Sequence, residues 1–454
     1  MNKFEKILLT VFFIEMFIGG GGRLIDFGFL SIRQVLFILL ILTFMLRIVR
    51  QRAYLDRNIN TFIKFNPLTI LIYLLIASFV FSVATGFIND HPLSIIVMDF
   101  FRVSFIAAYF PLAYYIADDR FSKDRVITIL KYSALIVSLF TITISILGKT
   151  IYSTNFGEYY YFINGFMNDD LYFRPSRSVF YKSHLFVLIA LLISLNAVLD
   201  KKYTKLDVIN LIICSISLIW SETRGFLLAF MVSVLTILLL DSRILSQPAK
   251  KLSEKIRLLF RSKQFMKKMI IGLMLIVAVP FMFNYMTLER FENQTQTHET
   301  EKPSKSTDKK SGKKEAKPEV NDISANTRVA DIYEGARILS DPVYLILGTG
   351  YGMEIGERVT GIEISFLDIL IEQGAIGFLI WLSLFLLVFY NYHVVYKQKR
   401  EITTLEVSLL AAFMGMLLLT NINPFINNPL GITFFLFILI VAQNRKEKEM
   451  GGVK

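Results

Sequence analysis

The chain alternates between long apolar stretches and shorter polar connections. An α-helix needs about 20 apolar residues to cross the hydrocarbon core of a bilayer. Stretches of about this length lie near residues 5–22, 29–47, 67–88, 94–117, 126–147, 179–199, 206–221, 224–241, 269–286, 371–396, 404–420 and 429–444. The pattern predicts an all-α integral membrane protein with about twelve transmembrane helices and one large loop that contains short helices.

The spacing of these stretches divides the chain into three parts. Residues 1–286 are predicted to form an N-terminal transmembrane bundle of about nine spans, and residues 363–454 a C-terminal group of about three. Residues 287–362 form the large loop between them. Its segment 294–321 is rich in Lys, Glu, Ser and Thr, and it is too polar to pack a core. We therefore expect a disordered tether there.

The second half of the large loop has a different pattern. A helical periodicity begins at Asn326-Thr-Arg328 and ends at Asp341-Pro342, which predicts a short helix near residues 326–340. Its apolar positions are Ala330, Ile332, Ala336, Ile338 and Leu339. We expect this amphipathic helix to lie against the outer face of the membrane.

The distribution of positive charge predicts the orientation in the membrane. The 454 residues are 54% hydrophobic, and 49 Lys and Arg against 37 Asp and Glu give a net charge of +12. Lys and Arg are found at 47–52, 120–125, 201–202, 243–268, 397–400 and 445–446, whereas the alternate connections 87–93, 221–223 and 421–429 contain neither. Cytoplasmic loops retain Lys and Arg, so both termini are predicted to be cytoplasmic and the large loop extracytoplasmic. The charge indicates topology rather than a nucleic-acid partner.

Cysteine chemistry contributes little to this sequence. The single cysteine, Cys214, lies inside an apolar stretch. An intramolecular disulfide framework and a cysteine-based metal site are therefore excluded.

Ionisable residues inside the apolar stretches are informative, because each costs a few kcal/mol at the bilayer centre. Asp99 and Arg102 are three residues apart, which places them on one face of a helix. They form either a structural ion pair that locks the bundle or a functional pair. Glu15 is expected to be a buried acid with a satisfied partner.

Two groups of charged residues lie near the predicted outer surface. Glu222 and Arg224 occupy a very tight connection that is followed by glycine, although Arg224 can also extend harmlessly to the interface. Arg174, Arg177, Lys182 and His184 lie where the first long outside loop enters a span. The planar fork of arginine suits two oxygens of a phosphate. Generic interfacial anchoring is the alternative for this second group.

Two further segments contain glycines or acids in an apolar context. Gly348-Thr-Gly350-Tyr-Gly352 is similar to a dinucleotide fingerprint and to a potassium filter, but it lacks the βαβ unit of the first and the fourfold ring of the second. Glu363, Asp368 and Glu372 are acids in the apolar segment that leads into the tenth predicted span. Glu363 and Asp368 are five residues apart, so they do not share one helical stripe.

The order of these motifs resembles the O-antigen ligase and polymerase superfamily of bacterial envelope glycan assembly. Arg224 and Leu228 match the Arg-x3-Leu element that precedes a large outside loop in this family. Within the loop, Arg328 matches an arginine on an amphipathic helix, and Leu347 to Gly352 match a Leu-Gly-x-Gly-x-Gly turn. The resemblance covers the chain from about Arg174 onward.

The ligases of this family also carry a His-x10-Gly motif that leads into a span. Counting back from Gly374 places Glu363 at the histidine position, and Gly374-Ala-Ile-Gly377 matches the family's glycine pair. Because polymerases share the architecture with more varied residues, the missing histidine favours a Wzy-type polymerase of O-antigen, capsule or exopolysaccharide repeat units over a ligase.

The resemblance implies a metal-independent glycosyltransferase, without a cofactor, that uses glycan attached to undecaprenyl diphosphate. Cations must then hold the diphosphate, and a carboxylate must accept a proton from the acceptor hydroxyl. Glu363 is the candidate general base. The candidate diphosphate ligands are Arg224 and Arg328, followed by Arg174, Arg177 and Arg337, and residues expected in supporting roles are Glu222, Asp99, Arg102, His184 and Asp368.

The implied setting is the bacterial cytoplasmic membrane. Its lipids and the lipid-linked oligosaccharide are the expected partners, together with a chain-length regulator and a flippase of the same pathway. Two alternatives stay open, namely a ligase that transfers glycan to lipid A core or to a protein, and a transporter or flippase of the same glycans. Transporters usually place charges near the bilayer midplane and often have duplicated halves. Here most of the notable charges lie at the outer rim and no duplication is evident, which favours an enzyme.

Overall fold

The computed structural model describes residues 1–22, 30–117, 120–242, 262–263, 265–278, 281, 323–355, 361–399 and 402–451. The predicted tether at 294–321 lies outside the described residues, and so does most of the basic connection at 243–268. Throughout the described part the fold is helical, apart from one short β-hairpin.

In its described residues, the first half of the chain forms ten α-helices and the hairpin. Side-chain caps begin several of these helices, as in the capping boxes of Asn2 with Glu5 and of Ser31 with Gln34. The elements are α1 (Lys3–Ile18), α2 (Ile32–Arg50), α3 (Pro67–Ile88), α4 (Leu93–Ser104), α5 (Tyr109–Ile116), α6 (Lys123–Lys149), α7 (Phe156–Phe166), β1 (Leu171–Phe173), β2 (Val179–Tyr181), α8 (His184–Leu199), α9 (Lys205–Trp220) and α10 (Arg224–Ser242). Short 3-10 turns at Thr61–Ile63 and Phe105–Ala108 precede α3 and join α4 to α5.

The second half contributes five further helices and the helical residues 265–278. They are α11 (Ile323–Ile338), α12 (Pro342–Leu347), α13 (Ser365–Lys399), α14 (Thr404–Leu419) and α15 (Pro429–Gly451). The amphipathic helix predicted near 326–340 is α11. The sequence pattern did not predict α12, whose exposed residues are apolar.

Six of the described helices are long and apolar enough to cross a membrane. They are Ile32–Arg50, Pro67–Ile88, Leu93–Ile116, Lys123–Lys149, Arg224–Asp241 and Ser365–Gln398, and His184–Leu199 and Thr404–Leu419 are shorter apolar helices. The expected class, an all-α integral membrane protein, is confirmed. The number of about twelve spans remains a prediction.

Contacts between connections define two ends of the helix bundle. At one end the Gly20 N–H donates to Ser183 Oγ at 2.9 Å, and Asn89 Nδ2 donates to the Thr349 carbonyl at 2.8 Å. At the other end Lys64 pairs with Glu447 at 2.8 Å. The connections without Lys and Arg, together with α11, lie at the first end, which we call the loop end. The start of α1 and the end of α15 lie at the opposite end, which we call the terminal end.

The core is centred on α8, in which every residue from His184 to Asn196 is buried. Its neighbours in the bundle are α6, α9 and α14. Charged residues in the interior have partners. Arg33 pairs with Glu15 at 3.0 Å, so Glu15, whose side chain is 9% exposed, has the partner expected from the sequence.

The glycine-rich turn at 348–352 is explained by packing. Helix α13 is interrupted at Gly374, whose φ of 65° and ψ of −175° are accessible essentially only to glycine. Two carbonyls released by this break accept hydrogen bonds from the turn: Thr349 N–H donates to Ile371 at 2.8 Å and Gly350 N–H to Glu372 at 3.1 Å. The turn therefore fills the gap in α13 and joins it to α3.

Candidate functional site

A β-hairpin carries one of the candidate arginines to the start of α10. Strands β1 and β2 pair antiparallel, and residues 174–178 form the tip. Arg174 donates from Nε to the Ser221 carbonyl at 3.3 Å and from Nη2 to Thr223 Oγ1 at 2.9 Å. Ser176 Oγ donates to Glu222 Oε1. The hairpin tip is thus fastened to the turn between α9 and α10.

That turn positions Glu222 and Arg224. Glu222 has a φ of 48°, a left-handed conformation that is uncommon outside glycine and that persists only where its surroundings enforce it. Its side chain is only 4% exposed. Arg224 is the first residue of α10 and is half-buried. The hairpin tip thus brings Arg174 to the turn that holds Glu222 and directly precedes Arg224.

A second pair of candidate residues lies on the opposite side of the loop between α14 and α15. Arg328 of α11 pairs with Glu363 at 2.8 Å, and both side chains are 27% exposed. Arg328 Nη2 also donates to the Ile422 carbonyl at 3.1 Å. A Cβ on Gly225 would lie 2.9 Å from Ile422 Cγ2, so the residue next to Arg224 packs against the same loop. We call Arg174, Glu222, Arg224, Arg328 and Glu363 the arginine site.

Beneath the arginine site lies a buried charge cluster around Arg102. Its guanidinium is 3.4 Å from Asp99, 3.2 Å from Asp368 and 2.9 Å from Glu372. The Gly352 N–H donates to Asp99 at 3.1 Å. This confirms the pairing of Asp99 with Arg102 on one helical face, and it adds two carboxylates from α13.

Hydrogen bonds continue from this cluster to the arginine site. Asp368 Oδ1 accepts from the Ile362 N–H at 3.0 Å, and Asp368 Oδ2 accepts from Asn427 Nδ2. Ser365 Oγ donates to Asn427 Oδ1 at 3.1 Å, and Thr420 Oγ1 donates to Ser365 Oγ at 2.9 Å. The network thus joins the start of α13 to the loop that accepts from Arg328.

The remaining candidates lie apart from the arginine site. Arg177 donates to the Gly148 carbonyl at 3.3 Å and lies over the Phe156 ring. Arg337 is 78% exposed and pairs with Glu334 on its own helix. His184 is fully buried, with Nδ1 2.8 Å from the Tyr181 carbonyl and Nε2 3.1 Å from Ser217 Oγ. In the described residues these three side chains make packing or local contacts.

Asp170, at the base of the hairpin, anchors the residues that directly follow α1. It accepts a hydrogen bond from the Gly21 N–H and lies 3.5 Å from Lys182. Burial raises the pKa of the Asp170 carboxyl, and the nearby Lys182 charge offsets part of that increase. The role of Lys182 is therefore to compensate a buried acid.

Sequence reasoning missed the polar residues that connect the two clusters. Ser365, Thr420 and Asn427 are uncharged and lie in connections without periodicity, so no sequence signal distinguished them. Glu372 offered a usable signal, because it lies four residues after Asp368 and shares its helical face. The shared face of these two acids was therefore accessible from spacing, whereas their contact with Arg102 required the structure.

The arginine site combines chemical groups that suit transfer of an anionic leaving group. Arg174, Arg224 and Arg328 carry guanidinium groups, which bind two phosphate oxygens at once. Glu363 offers a carboxylate at the edge of the same region. Together with the apolar helices, this arrangement defines an integral membrane protein with a polar site at the loop end of its bundle.

Comparison with known proteins agrees with the motifs. The sequence profile of the O-antigen ligase family matches residues 209–382, a segment that contains Arg224, Arg328 and Glu363. The chain is also similar to an O-antigen polymerase of Shigella flexneri, with 27% identity over 437 residues that cover 95% of this chain and 93% of the relative. The resemblance to the O-antigen ligase and polymerase superfamily is confirmed.

Proposed function

We propose that this protein polymerises undecaprenyl-diphosphate-linked oligosaccharide repeat units into O-antigen, capsule or exopolysaccharide. The reaction takes place at the outer face of the bacterial cytoplasmic membrane, with both termini in the cytoplasm. The observation that carries the proposal is the pairing of Arg328 with Glu363 beside the loop that also packs against the start of α10. Similarity to an O-antigen polymerase along nearly the whole chain supports it.

The proposed reaction needs no metal, because the arginines neutralise the leaving group. A sugar hydroxyl of the acceptor attacks the anomeric carbon of the donor, and a new glycosidic bond forms. The bond from that carbon to the diphosphate breaks, and its electron pair leaves with the diphosphate held by Arg224, Arg328 and Arg174. The hydroxyl proton passes to Glu363.

The ion pair between Arg328 and Glu363 means that substrate binding can release the Glu363 carboxylate. A diphosphate carries more negative charge than one carboxylate and accepts both arms of a guanidinium. Its binding competes with Glu363 for Arg328. The carboxylate released from this ion pair is then free to accept the hydroxyl proton.

A ligase is the second candidate, because the matching family is described as O-antigen ligase. The two reactions share the donor and differ in the acceptor. A polymerase given only lipid-linked repeat units produces longer lipid-linked chains. A ligase leaves such units unchanged until lipid A core or an acceptor protein is added.

The test uses purified protein and lipid-linked repeat units, with chain length measured on gels. The parent is expected to form polymer. Glu363→Gln keeps size and hydrogen bonding but cannot accept the proton, so the rate should fall by about 10²–10⁴-fold and single repeat units should accumulate. Glu354→Gln, which changes an exposed acid nine residues before Glu363, is the matched control and should retain activity.

Three results would change the proposal. A Glu363→Gln protein that polymerises within a few-fold of the parent rate removes Glu363 as the base. Transfer only after lipid A core is added identifies a ligase. Movement of intact lipid-linked units across a vesicle membrane, without any new glycosidic bond, identifies a transporter.

A further inference from the structure

The network beneath the arginine site reaches both members of the Arg328–Glu363 pair. On one side, Asp368 accepts from the backbone N–H of Ile362, the residue directly before Glu363. On the other side, Thr420 Oγ1 accepts from the N–H groups of Phe425 and Ile426, at 3.2 Å and 2.8 Å, and so shapes the loop whose Ile422 carbonyl holds Arg328. One side chain, Asn427, bridges these two sides.

Asn427 uses both ends of its amide in this bridge. Its Nδ2 donates to Asp368, and its Oδ1 accepts from Ser365 at 3.1 Å. Asn427, Ser365 and Thr420 are fully buried, and Asp368 is 1% exposed. Because these side chains are buried, each of their polar atoms needs a hydrogen-bond partner, and an unpaired buried polar group is costly in free energy. The geometry therefore tolerates little displacement.

From this arrangement we propose that Asn427 is a positioning residue that sets the distance between Glu363 and Arg328 through Asp368 and Ser365. The proposal rests on the function proposed above, in which these two side chains act on the same substrate. Asn427 itself does not touch substrate. It couples the start of α13, just after the proposed base Glu363, to the loop between α14 and α15. That loop holds Arg328, the cation proposed to bind the diphosphate, so the two side chains keep a fixed spacing around the substrate.

The chain provides a matched control for this position. Asn391 is also fully buried and also links α13 to α15, because its Nδ2 donates to Gln443 Oε1 at 2.9 Å. It lies toward the terminal end of the same helix pair. An asparagine that acts only by holding α13 against α15 should therefore behave like Asn391.

The first experiment compares Asn427→Ala with Asn391→Ala in the purified enzyme with lipid-linked repeat units. We expect Asn427→Ala to lower kcat by about 10–100-fold, since a displacement on the order of 1 Å at reacting groups has this effect, while KM for the donor changes little. Asn391→Ala should keep kcat within a few-fold. Equal losses of kcat in the two variants at equal membrane levels would overturn the proposal.

The second experiment asks whether Asn427 acts through Glu363. If it does, the double variant Asn427→Ala with Glu363→Gln should be no slower than Glu363→Gln alone, because the misplaced group is already inactive. Asn391→Ala should add its own small effect to Glu363→Gln. If the fold-losses in kcat of the two single variants multiply in the double variant, the proposal is wrong. If Glu363→Gln has a normal rate, the proposed base is wrong instead.

Two milder variants serve where Asn427→Ala does not fold. Ser365→Ala removes one hydroxyl from the bridge and should lower kcat in the same direction. Asn427→Asp alone places two carboxylates together and should lower kcat. The double variant Asp368→Asn with Asn427→Asp restores a donor opposite an acceptor, so it should recover part of that loss. Normal kcat in Ser365→Ala, or no recovery in the exchange variant, would count against the bridge.

Discussion

At the scale of single residues, Arg328 is a proposed diphosphate ligand whose guanidinium already has protein partners. Its guanidinium contacts a carboxylate and a peptide carbonyl, both of which are oxygen acceptors. Arg174 likewise donates to a carbonyl and a hydroxyl of the turn between α9 and α10. A diphosphate presents the same kind of acceptor with greater charge, so exchange of partners costs little hydrogen bonding. The resting contacts keep these arginines ordered.

At this scale Arg224 tests whether charge or geometry matters in the arginine site. Arg224→Lys keeps the positive charge but loses the planar fork, so we expect strong loss of polymerisation in both Arg224→Lys and Arg224→Ala. The protein level in the membrane should be preserved. Arg50→Lys, an exposed arginine at the terminal end, should retain full activity. Normal polymer from Arg224→Ala would remove this residue from the site.

At the scale of elements, the break in α13 determines where the acids of this helix lie. Asp368 and Glu372 precede Gly374 and face Arg102, whereas the helix after the break continues through the bundle to Lys399. The glycine-rich turn supplies N–H groups to the carbonyls that the break exposes. An uninterrupted helix would satisfy those carbonyls internally and would leave the turn without its anchors.

Gly374→Ala tests this explanation of the break. A Cβ at this position would lie 2.3 Å from the Ile346 carbonyl oxygen, and the backbone conformation is strained for any residue except glycine. We expect the free energy of unfolding to fall by at least about 1–3 kcal/mol, measured as lower thermal stability in detergent. Gly157→Ala, where a Cβ meets nothing within 4 Å, is the control and should be neutral. Equal stability of the two variants would mean that the break is not required.

Much of this element level could be predicted from the sequence, and the part that could not has a physical reason. Apolar length predicted the six described helices that are long enough to cross a membrane. The order of Arg224, Arg328 and Glu363 along the chain selected them as candidates, and the structure pairs two of them, Arg328 and Glu363. The bridge through Ser365, Thr420 and Asn427 depends on which connections meet in space, and uncharged polar residues leave no periodic signal. Gly374 was recognised as part of a motif, but its role as a helix break required the contact with the turn at 348–352.

At the scale of the whole molecule, the two ends of the bundle differ in composition. The loop end contains the arginine site, the glycine-rich turn and the short connections without Lys or Arg. The arginines of the arginine site at this end belong to the hairpin, to the start of α10 and to α11. The terminal end contains Lys64, Arg120 and Arg445, together with the start of α1 and the end of α15. This separation agrees with the rule that cytoplasmic loops retain positive charge. Which end faces the cytoplasm remains a prediction that labelling can decide.

Single cysteines placed at the two ends test the orientation directly. Thr154 is exposed in the loop-end connection before α7, and Ser262 is exposed in the basic segment that is predicted to be cytoplasmic. In intact spheroplasts a membrane-impermeant thiol reagent should label Thr154→Cys and leave Ser262→Cys unlabelled until the membrane is permeabilised. The native Cys214 is fully buried and should give little background. Labelling of Ser262→Cys alone before permeabilisation would reverse the orientation and would place the arginine site on the cytoplasmic side, where an outer-face polymerase cannot work.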